Sequence, residues 1–199
     1  MTLLNNEVTY LAQMLETSGD GGEKVDAACR LASFGTAEAA AALARALQRE
    51  KDPLVREAVI GALLVCDTRA VIAEMATLLR SEDATNRSAA FEVLTYRCDD
   101  EVIEIFEQLL QDGDRDVRVM TVHALGRSRC GRSAELFRRV IREDGDVNVV
   151  AAAVEYLGEM GEPSDAALIQ KALERFRHPY FEWIARRALG RLMGDNEAG

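Results

Sequence analysis

The sequence is poor in several things that would mark other kinds of protein. It has only three prolines and two histidines in 199 residues. Its four cysteines (Cys29, Cys66, Cys98 and Cys130) form no CxxC pair, so the local spacing of a structural zinc site is absent. No apolar run reaches the roughly 18 residues that a membrane-spanning helix needs. No segment alternates with period two, so strands are not expected. Residues 1–7 lack the basic and apolar regions of a signal peptide, and a cytoplasmic location is the expectation. A net charge of −10 argues against a general phosphate-backbone binder.

What the chain does have is a repeat. Leu31, Leu63, Leu94, Leu125, Leu157 and Leu189 recur every 31 or 32 residues. Three further ladders keep the same register: Leu15 to Leu173, Leu11 to Ile169, and Val8 to Ala166. All four are apolar in each of six copies. Within a copy the apolar spacing is helical: Ile72, Met75 and Leu79 lie at i, i+3 and i+7, and Val55, Val59 and Leu63 at i, i+4 and i+8. Each unit is thus an amphipathic helical hairpin, which buries its apolar face only by stacking on its neighbours.

The punctuation agrees. Asp20, Asp52, Asp83, Asp114 and Asp146 stand where the second helix of five units begins, and a carboxylate there accepts bonds from free backbone N–H groups. The sixth unit has His178 at that place. Pro53, Pro163 and Pro179 fall in first turns, where a missing N–H costs nothing. The spacing predicts helices over 4–17 and 22–34, 37–49 and 53–65, 69–80 and 84–96, 100–112 and 115–127, 132–143 and 147–159, and 163–176 and 179–193. The predicted fold is all-α, a right-handed α-α superhelix (α-solenoid) of about six two-helix repeats in one domain, 1–194, with a frayed tail at 195–199. Cys66, Cys98 and Cys130 then occupy successive layers. Helical layers stack about 8–10 Å apart, beyond the roughly 7 Å that a disulfide spans between Cα atoms. Free thiols are therefore expected.

The segment from Asp52 through Val55-Arg56 to Ala62-Leu63 resembles the second helix of a HEAT repeat, D-x-x-V-R-x-x-A-x-x-A-L. Asp114, Val117-Arg118 and Ala124-Leu125-Gly126 repeat it well, and Asp83, Arg87 and Leu94 in part. The short period is similar to that of the HEAT-like repeats of phycobilisome lyases. The resemblance implies that Arg56, Arg87 and Arg118 join Asp52, Asp83 and Asp114 in a hydrogen-bonded ladder between units. Val150 and Glu182 replace the arginine in the last two units.

No reactive groups converge visibly, and no metal ligands, cofactor or catalytic residues are expected. The His-Glu dipeptides of iron-binding HEAT-type hydroxylases are missing. Two features depart from the repeat. Residues 115–142 carry eight arginines and a net charge of +6, and Arg127, Arg129 and Arg132 in one turn are candidates for anion contact, the alternative being internal pairing with neighbouring carboxylates. Phe176, Tyr180, Phe181 and Trp183 crowd into eight residues amid arginines, either as an interface or as a cap on the core. Alignment puts Phe181 in the core and Trp183 outward.

Second helices conventionally line the concave, binding face of such a solenoid. Their aligned outward positions turn apolar in the last three units, through Val119, Met120, Ala151, Ala152, Trp183 and Ile184, with His123, Glu155 and Arg187 as a polar rim. The expectation is a non-catalytic scaffold that binds a protein partner through Val119, Met120, His123, Glu155, Trp183, Ile184 and Arg187. Two other readings compete. One is a bilin lyase or tetrapyrrole chaperone, which the resemblance to phycobilisome lyases implies. The other is nucleic-acid binding, which the acidic total disfavours.

Overall fold

A computed structural model of the protein describes residues 2–66, 68–97, 100–128 and 130–194. Among these residues there are twelve α-helices, one 3-10 turn and no strand. The chain divides into two compact units, residues 1–102 and 103–199. The first contains α1 (Thr2–Thr17), α2 (Gly21–Phe34), α3 (Ala37–Arg49), α4 (Pro53–Val65), α5 (Thr68–Leu78) and α6 (Ala84–Tyr96). The boundary falls inside α7 (Asp100–Leu109). The second unit continues with α8 (Arg115–Ser128), α9 (Ser133–Glu143), α10 (Val147–Met160), the 3-10 turn Pro163–Asp165, α11 (Ala166–Arg175) and α12 (Pro179–Met193).

Each unit is two layers of helices. In the first, α1, α3 and α5 pack in chain order in one layer, and α2, α4 and α6 in the other. In the second, α10 lies between α8 and α12, while α9 packs on α11. The ladders form the cores. Leu31, Leu63, Leu94, Leu125 and Leu157 are fully buried, as are Leu11, Leu43, Met75, Phe106, Phe137 and Ile169. The row beginning at Val8 loosens at its end, where Ala134 and Ala166 are half-buried.

The aspartates cap as expected. Their carboxylates accept bonds from Gly22, Leu54, Thr85, Asp116 and Asn148 N at 2.7–2.9 Å, each worth about 1 kcal/mol to its helix. His178 makes no side-chain cap bond. Helices α5 and α7 stop at Leu78 and Leu109, short of the predicted 80 and 112, because Arg80 N and Gln111 N bond three residues back and tighten the last turn. The expected tail at 195–199 lies outside the described residues.

Two expectations need correction. The ladder arginines do not pair with the capping aspartates. Arg56 donates to Leu47 O and Glu50 O, Arg87 to Ser81 O and Glu82 O, and Arg118 to Asp112 O and Gly113 O. Arg56 thus satisfies an orphan carbonyl in the last turn of α3, while Arg87 and Arg118 hold carbonyls of the loop that joins the two helices of their own hairpin. Contact with the following unit comes second, through Arg56 to Thr85 O at 3.5 Å and Arg118 to the Asp144 carboxylate at 2.7 Å. The thiols are the other correction: Cys130 stands in a disulfide. Layer spacing applies to helix axes, and Cys130 sits in the loop between α8 and α9, where that spacing does not hold the chains apart. Cys98 lies outside the described residues.

Candidate functional site

The second unit presents α8, α10 and α12 side by side, and all the expected partner-binding residues fall on them. Helix α8 carries Val119, Met120 and His123, all half-buried, and α10 carries Glu155, also half-buried. Helix α12 carries Trp183 and Arg187, both exposed. Ile184 does not belong with them. It is 4% exposed, because one residue further along a helix turns the side chain by about 100°, here into the core. Ala151 and Ala152 are buried as well. The expected continuous apolar patch is therefore split into an α8 part and an α12 part, with α10 between them.

On α12, the Arg187 guanidinium lies over the Trp183 ring, 4.5 Å from its centroid. Trp183 is 55% exposed and Tyr180, one helical turn earlier, 52%. The other two rings of the aromatic cluster face inward: Phe181 is fully buried and Phe176 packs on it edge to face at 5.4 Å. The cluster is thus divided: Tyr180 and Trp183 are exposed on α12, while Phe181 of α12 and Phe176, at the end of α11, pack on each other.

On α8, His123 Nδ1 and the Tyr156 hydroxyl share a hydrogen bond at 3.2 Å. Burial, aided by the Arg127 charge and opposed by Glu155, holds His123 below the usual histidine range, so the ring is neutral at pH 7. Burial likewise pushes the Tyr156 phenol up. Tyr156 also stacks on Phe137. It was not among the expected residues. The signal for it is its place in the repeat, where Ala62, Ala124 and Ala188 are small and Tyr156 alone is a large ring.

The arginine-rich segment is mostly paired internally. Arg118 meets Asp144 at 2.7 Å and Arg138 meets Asp165 at 2.6 Å, while Arg115 lies near Asp116 and Asp146. Arg132 is neutralised by Glu107, which Arg139 also approaches. Arg132 is therefore no open anion contact. Arg127 is exposed and donates to His123 O of its own helix. Arg129 lies outside the described residues. Among those residues no group of three His, Cys, Asp or Glu is placed to hold a metal ion, and no helix is long and apolar enough to cross a membrane.

No curated protein matches the chain. Similar solved structures include an engineered protein, 20% identical over 94% of this chain and 96% of that one, with a TM-score of 0.42. The complex of CpcE and CpcF of phycocyanin lyase from Nostoc sp. is 19% identical over 93% of this chain and 82% of that one, with a TM-score of 0.39. A designed armadillo repeat protein is 15% identical over 92% and 99%, again with a TM-score of 0.39. The HEAT repeats family matches residues 8–95, 72–143 and 103–190. Those matches overlap and together span residues 8–190, so a single kind of repeat accounts for nearly the whole sequence, and the chain belongs to the HEAT-repeat family.

Proposed function

We propose that this protein is a non-catalytic scaffold that binds a protein partner on the second-helix face of its second unit, centred on Trp183. The observation that carries the reading is the exposed indole with Arg187 stacked on it. A large ring ordered at the surface beside an arginine combines the two residue types that dominate interface hot spots. Val119, Met120, His123 and Glu155 form a second, flatter contact area on α8 and α10. Met120 adapts its shape to what covers it. Solenoid repeats of this kind supply extended surfaces for partners, and their repeated residues serve the stack itself.

Affinity capture from a lysate of the source organism tests this reading, with wild-type and Trp183→Ala proteins side by side. Truncating an interface tryptophan costs about 2 kcal/mol or more, roughly thirtyfold in affinity. The partner should be lost from the variant while its melting temperature stays within a few degrees of wild type. An unchanged capture by a properly folded variant would refute the assignment.

A further inference from the structure

The proposed scaffold face has a charge pattern that restricts what it can bind. Tyr180, Trp183 and Arg187 lie at i, i+3 and i+7 on α12, with Arg186 beside them, so the four form one stripe along the helix. Arg186 and Arg187 are both exposed, and among the described residues neither has a carboxylate within ion-pair distance. This sets them apart from Arg115, Arg118, Arg132, Arg138 and Arg139, which all have such a partner. Arg186 and Arg187 are neighbours on one stripe, so their two unneutralised charges add there, in a chain of net charge −10.

The stacking of Arg187 on Trp183 also shapes what Arg187 can do. The guanidinium carbon lies 4.5 Å from the ring centroid, and an indole face accepts no conventional hydrogen bond, so N–H donors of the fork remain for a partner. The side chain is held in place before any partner arrives, so less conformational entropy is lost when the fork closes on a planar anion. Next to it, Trp183 as a residue remains exposed. A carboxylate in the fork and an apolar side chain on the ring would satisfy both.

From this complementarity we infer that the α12 stripe docks an acidic amphipathic segment of a partner protein, with a Glu or Asp carboxylate in the Arg187 fork and an apolar residue against Trp183. This rests on the scaffold reading above and adds the chemistry of the partner. A polynucleotide fits less well, because residues 103–199 hold more Asp and Glu than Lys and Arg and so offer no net positive charge to a polyanion.

Trp183 is the only tryptophan in the chain, so intrinsic emission reports on this stripe alone. The full chain is titrated with two synthetic peptides of about four helical turns. They share the same Leu positions and carry either Glu or Lys at the polar ones. A third titration uses oligothymidylate. The Glu peptide should shift the emission saturably, and added salt should weaken it. The Lys peptide should not bind. Arg187→Gln should weaken the Glu peptide about tenfold, and Arg187→Lys, which keeps the charge and loses the fork, by an intermediate factor. Circular dichroism of both variants establishes that they are folded. The inference is overturned if both peptides bind equally, if only oligothymidylate saturates, if Arg187→Gln binds like wild type, or if the Glu peptide produces no response up to about 1 mM. Loss of native-partner capture in Trp183→Ala combined with no response to the Glu peptide would leave the scaffold reading in place and remove the acidic partner.

Discussion

The ring of Tyr156 in α10 lies so close to the backbone of Gly126 in α8 that a Cβ at position 126 would stand 2.4 Å from its Cδ1 and Cε1 atoms. The same step recurs one repeat later, where a Cβ on Gly158 would meet Ala188 Cα at 2.7 Å. These glycines set how tightly the second helices of the last three repeats approach one another. Gly126→Ala should cost about 1–3 kcal/mol, part of it relieved by rotation of the Tyr156 ring. Gly158→Ala should cost at least as much, since backbone cannot rotate away. Thermal melts of the two variants check this, and wild-type stability in Gly158→Ala would contradict the close approach.

The leucine row should dominate stability. Leu125 is fully buried, whereas Leu54 is 73% exposed. Leu125→Ala should lose about 2–5 kcal/mol, and Leu54→Ala less than about 0.5 kcal/mol. Urea denaturation followed by circular dichroism measures both, and equal effects would contradict the ladder.

Acid should loosen the second unit through Asp165. This carboxylate is buried and accepts bonds from Arg138 Nε at 2.6 Å, Arg138 Nη2 at 2.9 Å and Glu162 N at 2.8 Å. The Arg138 bonds, with the Glu162 amide adding to them, hold it below the usual aspartate range against the effect of burial. A depressed folded-state pKa contributes stability above the unfolded value of about 3.9, and that stability is lost as pH falls through the folded one. Asp165→Asn should therefore lower stability by about 2 kcal/mol at pH 7 and flatten the loss as pH falls below about 4. Melting curves across that range for both proteins provide the check. Parallel pH profiles would mean that Asp165 does not report on the fold.

The disulfide at Cys130 gives a count. A disulfide takes up two of the four cysteines in the sequence. Titration of the denatured protein without reductant should find two thiols per chain, and four after reduction. Four before reduction would show that the bond does not form in solution.

The start of a second helix was legible where an aspartate cap marks it. An aspartate cap, a first-turn proline and a ladder residue together place α4 to the residue, over Pro53–Val65. The family resemblance was carried by the same residues. What the arginines bond to was not legible. Arg56 and Arg118 bond to carbonyls that open up only once the preceding helix ends, and Arg175 takes over that role where Val150 has replaced the ladder arginine, donating to Arg142 O and Asp144 O from the following repeat. Alignment also placed Trp183 outward and erred at Ile184, since a single residue of rotation separates surface from core and depends on how far α10 and α12 overlap. Tyr156 escaped notice because a helical period records where apolar residues fall and not how large they are.

The central claim is that a partner docks on the second-helix face of the second unit at Trp183. The most direct measurement is site-specific photo-crosslinking. A photoreactive phenylalanine derivative replaces Trp183 in one protein and Glu57, an exposed residue at the aligned position of α4, in another. Both are irradiated in a lysate of the source organism. The account predicts a discrete adduct from position 183, suppressed by excess wild-type protein, and none from position 57. An adduct from position 57 with none from position 183 would contradict it.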